Sequence, residues 1–139
     1  MVYSLLKDTV IDLAQGIVGF EQLRYFRAVE VGPGSIFGML QSEEDPNVGF
    51  VVVSPFDVYD DYEFKLSDEI IEGLDIKQPE DIIVLSIITV SPKFKESTLN
   101  LVAPIVINLS SGKGRQFILD TARIYSIHAP LFPRQEGGE

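Results

Sequence analysis

Ile82-Ile83-Val84-Leu85-Ser86-Ile87-Ile88-Thr89-Val90-Ser91 is a nearly unbroken apolar run, rich in β-branched residues and closed by Pro92. Such side chains favour a pleated strand. Because the run lacks strict polar alternation, the strand is expected to be buried on both faces. It is also far shorter than the ~20 apolar residues that a membrane-spanning helix needs. Just before it, Pro79-Glu80-Asp81 suits one helical turn. Further upstream, Ser67-Asp68-Glu69 reads as the start of a short helix ending near residues 73–75. The serine hydroxyl can accept from a free amide there, and the two acids suit the positive end of the helix dipole.

Away from this centre, alternation with a period of two dominates. Strands are expected around residues 9–14, 25–31, 36–42, 48–54 and 62–66, and again over 97–101, 104–109, 114–119 and 122–127. Gly32-Pro33-Gly34-Ser35, Glu43-Glu44-Asp45-Pro46-Asn47 and Ser110-Ser111-Gly112-Lys113 are turn signals between them. Short strands at regular spacing, with one short helix and no long helices alternating with them, predict a mainly β fold. The expected architecture is a single-domain, antiparallel-rich β-barrel with one short helix. It should occupy residues 1–132, with residues 133–139 as a flexible polar tail.

The chain has 139 residues, no cysteine and one histidine. Disulfides, thiolate metal sites and cysteine nucleophiles are thereby excluded. His128 lies beside Ala129-Pro130 and is expected to be structural or exposed. The Asp57, Asp60, Asp61 and Glu63 group lacks the glycine and the ligand spacing of a calcium loop. Ser111-Gly112-Lys113 lacks the earlier glycine of a phosphate loop, since position 107 is Ile. No cofactor and no catalytic residues are expected. The N-terminus shows no secretory pattern, so a cytoplasmic location is expected and the sequon at Asn108-Leu109-Ser110 is a chance match.

Charge is unevenly spread. The net charge is −10, from 21 acids and 11 Lys+Arg. Residues 57–81 hold ten acids against Lys65 and Lys77, a local net of −8. A surface of this sign repels nucleic acid and anionic lipid, so neither is an expected partner. The segment serves either as a solvated face or as a dock for a basic protein. Phe56, Tyr59, Tyr62 and Phe64 within it fit a docking surface, and they equally fit a core.

Six stretches, in order, resemble the FliW family of flagellar assembly factors. They are Gly16-Ile-Val-Gly-Phe-Glu-Gln-Leu23, Leu40-Gln-Ser-Glu-Glu-Asp-Pro46 and Phe50-Val-Val-Val-Ser-Pro-Phe56, followed by Asp61-Tyr-Glu-Phe-Lys-Leu-Ser-Asp68, Asn100-Leu-Val-Ala-Pro-Ile-Val-Ile-Asn108 and Gly114-Arg-Gln-Phe-Ile-Leu119. The resemblance covers about residues 13–130. One departure is Val18, where the more familiar motif reads Gly-Ile-Pro-Gly.

The resemblance implies a non-enzymatic regulator with a compact β-barrel fold. It implies binding to CsrA, a basic RNA-binding translational repressor, with relief of repression of flagellin mRNA. It also implies binding of flagellin in competition with CsrA. The contact surfaces are expected in the loop Glu43, Glu44, Asp45 and in Phe56, Asp57, Tyr59, Asp60, Asp61, Tyr62 and Glu63, with Asn100, Pro104 and Asn108 as a second surface. Tyr59 is expected as an exposed anchor shared by both partners, unless it belongs to the core. For Pro104 and Asn108 the competing reading is strand-end geometry. The alternative function is a small-molecule- or cation-binding β-barrel.

Overall fold

In the computed structural model, which describes residues 6, 9–32, 34–119 and 125–133, the alternating segments become an antiparallel meander. Strands β1 (Val10–Asp12), β2 (Tyr25–Glu30), β3 (Phe37–Ser42), β4 (Gly49–Val53) and β5 (Ile82–Thr89) pair in sequence order. Ala28 stands opposite Leu40, and Leu40 opposite Phe50. Side chains alternate across a strand, so Phe26, Ala28, Leu40 and Val52 are buried while Val29, Met39 and Val51 face outward.

β5 forks the sheet. Val52 and Val53 of β4 pair with its second half, at Ile87 and Ser86. On the other edge, its first half pairs with β7 (Ile105–Asn108), and Ile88 and Thr89 pair with β6 (Thr98–Leu99). The branches end in β8 (Gly114–Gln116), beside β7, and β9 (Ala129–Pro130), beside β6. All these ladders are antiparallel, and the described residues hold nine strands in total. The sheet curls until β1 meets the turn before β8. There the Asp12 amide donates to the Gly112 carbonyl at 2.8 Å, and Asp12 and Lys113 form a single bridge. The curl is thus pinned at one point rather than closed by a continuous ladder.

Three apolar clusters follow from this shape. Inside the curl lie Leu6, Ile11, Leu13, Phe26, Leu40, Leu85, Ile105 and Ile107. Gly114 permits that packing, because a Cβ there would sit 2.8 Å from Leu13 Cδ2. Outside β4 and β5, Val53, Ile88, Leu99, Leu101 and Leu131 gather around Tyr62. The third cluster joins Ile70 and Leu74 to Val84 and Val106. β5 therefore contributes to all three clusters and is covered on both faces, as its composition predicts. Each fully buried Leu or Ile stabilises the fold by roughly 1.5–3 kcal/mol.

The helix α1 (Asp68–Gly73) starts where expected, with Ser67 Oγ accepting from the Ile70 amide at 3.2 Å. Pro79–Asp81 forms a 3-10 turn, as do Pro55–Asp57 and Phe94–Glu96.

Residues 62–66 are not a strand. Tyr62 is buried, Phe64 and Leu66 are half-buried, and Glu63 and Lys65 are exposed, so the alternation is real. It arises because the segment packs across two apolar clusters, not because a neighbouring strand pairs with it. A phenol stands in for that strand: Tyr125 Oη accepts from the Glu63 amide and donates to the Glu63 carbonyl, both at 3.1 Å. The predicted strand over 122–127 lies partly outside the described residues. Its described part, 125–127, is not strand, and the pairing segment falls instead at Ala129–Pro130. Positions 134–139 of the expected tail also lie outside the described residues.

Candidate functional site

The acidic segment begins at the 3-10 turn Pro55–Asp57. Pro55 is buried, and the turn projects Phe56 outward, 42% exposed, with its ring centroid 5.6 Å from that of Tyr62. Asp57, Asp60, Asp61 and Glu63 are all exposed around it. Residues 63–66 line both of two open grooves. The first, about 760 Å³, has Phe56, Phe64, Leu66, Ile71, Pro79 and Ile82 among its walls. The second, about 1020 Å³, runs between residues 63–70 and 115–119, with Val18 completing its lining. The exposed acids Asp57, Asp60, Asp61 and Glu63 thus form an acidic ridge beside Phe56, next to a first groove with mostly apolar walls. The second groove is mixed, with Glu63, Lys65, Asp68, Glu69 and Arg115 among its walls.

The two tyrosines of this segment serve the fold. Tyr62 is 3% exposed, and its hydroxyl donates to the Leu101 carbonyl at 2.8 Å. Burial, with Tyr125 close by, pushes its phenol well above the ordinary tyrosine pKa. Its assignment as a contact residue is corrected: it is a core strut. Tyr59 is half-buried, donates to the Pro130 carbonyl at 2.6 Å, and has its phenol pKa raised by burial. It ties the acidic segment to β9, which fits the core reading rather than a free anchor. Phe56 is the exposed aromatic of this segment.

The loop Glu43, Glu44, Asp45 is also engaged. The carboxylate of Glu44 accepts from the amides of Arg24 (2.6 Å) and Tyr25 (2.9 Å), fastening the entry to β2. Those amides, Tyr25 first, hold its pKa below the usual glutamate value. Glu43 pairs with Arg27 at 3.2 Å. Asp45 Oδ1 accepts from the Asn47 amide, while the buried Ser42 hydroxyl accepts from the amides of Glu44 and Asp45. This loop remains at the surface, but Glu44 is committed to the backbone.

Asn100, Pro104 and Asn108 do not make a second surface. Asn100 Oδ1 accepts from the amides of Val102 and Ala103, shaping the turn between the two branches of the sheet. Pro104 is buried. Asn108 has no exposed surface, and its side-chain amide donates to the carbonyls of Leu74 and Asp75. Strand-end geometry, the competing reading, is what the structure contains.

Sequence reasoning missed Ile118 and Val18, each 67% exposed and lining the second groove. Their only signal was an apolar side chain beside a turn or at the end of an alternating segment, which also describes core residues. The Val18 amide donates to Gln116 Oε1 at 2.9 Å, a bond that proline could not make at this position. The hairpin cations face the acidic helix: Lys113 pairs with Asp75 at 2.8 Å, and Arg115 approaches Glu69 at 3.9 Å. His128 is exposed. Among the described residues there is no cluster of three or more His, Cys, Asp or Glu able to hold a metal, and no helix long and apolar enough to cross a membrane.

Known proteins resemble this chain closely. The model of the family described as "FliW protein" matches residues 3–131. The chain is 43% identical over 125 residues to "Flagellar assembly factor FliW" of Clostridium beijerinckii, covering 90% of this chain and 88% of that one. It is 44% identical over 128 residues to the protein of the same name in Clostridioides difficile, covering 92% and 97%. A crystal structure of the flagellar assembly factor FliW superposes with a TM-score of 0.84 at 36% identity, covering 91% of this chain and 88% of that one.

Proposed function

The chain belongs to the FliW family of flagellar assembly factors, and from that premise we propose that it acts in flagellar assembly by binding, without catalysis and in the cytoplasm. Its partners are CsrA, whose repression of flagellin mRNA it relieves, and flagellin, which competes for it. The observation that carries this reading is the exposed acidic ridge around Phe56, which lies beside a groove with mostly apolar walls. A basic RNA-binding protein is drawn to such a ridge, and once docked its RNA is repelled by the same field. The first groove, walled by Phe56, Phe64, Leu66, Ile71 and Ile82, offers apolar area to a partner that is not strongly basic. Phe56, rather than Tyr59, is the aromatic anchor.

The test is association kinetics with both partners. Changing Asp57, Asp60 and Asp61 to Asn and Glu63 to Gln together should slow CsrA association about tenfold at low salt and flatten its salt dependence. Flagellin association should change little. A folded wild-type chain that binds neither CsrA nor flagellin would overturn the reading. An unchanged CsrA rate in the variant would move the dock away from this ridge.

A further inference from the structure

We propose that the outer edge of residues 116–118 is a strand-addition site, taking an extended segment of a partner protein with alternating apolar side chains and basic flanks. The inference rests on the reading of the chain as a binding factor and adds the mode of docking. β8 pairs with β7 along one edge. Beyond it, the Phe117 amide donates to the Pro104 carbonyl at 3.2 Å and the Leu119 amide to the Val102 carbonyl at 2.8 Å, so the chain stays extended on that side. Successive peptide groups of an extended chain point to opposite edges. Those of Gln116 and Ile118 therefore point away from β7. Among the described residues no strand pairs with that edge; β1 reaches only Gly112 and Lys113.

Native sheets guard unpaired edges with lysine, proline, bulges or a covering loop. This edge carries Gln116 and the exposed Ile118, with no lysine or proline from 116 to 119. It borders the groove of about 1020 Å³, where Phe64, Leu66, Ile70 and Phe117 supply apolar wall. Glu63, Asp68 and Glu69 line the same groove against Lys65 and Arg115, and Arg115 is already turned to Glu69. An added strand would find backbone partners on the edge, apolar seats for alternate side chains and an acidic surround for its flanks. Acidic segments would be disfavoured by the net charge of −8 on residues 57–81, which supply one wall of the groove.

The probe is a synthetic heptapeptide of alternating valine and threonine between terminal lysines, titrated into the full chain and followed by amide NMR and hydrogen exchange. Saturable binding should shift the amides of Gln116 and Ile118 and slow their exchange. N-methylation of alternate peptide residues removes backbone donors and should weaken binding about tenfold. Exchanging the terminal lysines for glutamates should weaken it similarly. Ile118→Pro deletes an outward amide without touching the bonds to β7 and should weaken binding about tenfold, whereas Ile118→Thr keeps that amide and should bind within about twofold.

Absence of saturable binding, equal binding of the N-methylated peptide, or protection at another edge would each overturn the proposal. So would a concentration-dependent dimer that the peptide dissolves, which would assign the edge to a second copy of the chain. If the wild-type chain binds CsrA and flagellin but not the peptide, strand addition alone fails. If it binds the peptide at this edge but neither protein, the functional reading alone fails.

Discussion

The side-chain amide of Asn108 lies 2.7 Å from the carbonyl of Leu74, joining residues 34 positions apart. Leu74 caps the end of α1, where helix carbonyls lack intrahelical donors. Asn108 supplies one donor to Leu74 and another to the Asp75 carbonyl at 3.0 Å, and the Ser111 hydroxyl adds a third at 3.2 Å, to Leu74. Asp75 itself is left-handed, with φ of 57°, a conformation usually left to Gly or Asn. The chain can hold it there because both its carbonyl and its carboxylate are tied down, the latter by Lys113. The short helix is thus anchored to β7 from outside itself.

Asn108→Ala should cost about 2–4 kcal/mol in chemical denaturation, since it empties a fully buried site, takes the side-chain donor from the Asp75 carbonyl and leaves the Leu74 carbonyl only the Ser111 hydroxyl. Asn108→Asp should be at least as damaging near neutral pH, because an ionised carboxylate only accepts. If either variant unfolds like wild type, the anchor is not needed.

Tyr62→Phe removes only the hydroxyl that serves the Leu101 carbonyl. About 1 kcal/mol should be lost, a fall in Tm of roughly 3 °C. Tyr59→Ala should also lower Tm while leaving partner affinity, measured on the folded fraction, near wild type. A wild-type melt with weakened binding of both partners would restore Tyr59 as an anchor.

Gly16 and Gly19 share the left-handed region, at φ of 71° and 90°, but not the same crowding. A Cβ on Gly16 would lie 2.5 Å from Glu21 Cα, while Gly19 has nothing within 4 Å. Gly19→Ala should therefore cost only the left-handed penalty of about 1–2 kcal/mol. Gly16→Ala should cost about 3 kcal/mol or more, because the backbone must also move. Equal costs for the two variants would show that the clash is relieved freely.

Glu44 contributes a pH-dependent stability. Its folded pKa is lowered by the amides of Tyr25 and Arg24, so the folded state favours the charged form. The contribution is fully present above the ordinary glutamate pKa of about 4.3 and is lost as pH falls through the lower folded value. Unfolding titrations of wild type and Glu44→Gln should differ at neutral pH and converge in acid. Curves that stay parallel down to strong acid would rule out this linkage.

Local signals carried much of this fold. Ser67 capped α1 where its hydroxyl and the following acids predicted, and the run at 82–89 became the buried central strand, because side-chain shape and capping act over a few residues. Residues 62–66 show where that logic stops. Their alternation predicted a strand, yet a strand also needs a neighbour, and the hydroxyl of Tyr125 took that place.

The sequence by itself determined the β class, the single short helix, the concentration of negative charge in 57–81 and the family resemblance, since each depends on residue type, period or order along the chain. Tertiary structure alone decided which aromatics face solvent. Phe56 is exposed and Tyr62 buried in one short segment, because the sheet curls under one and the 3-10 turn lifts the other away. It also decided that Asn108 anchors a helix and that the far edge of residues 116–118 goes unpaired among the described residues. Hydrogen-bond partners and free edges are set by segments distant in sequence, and no local pattern encodes where those segments arrive.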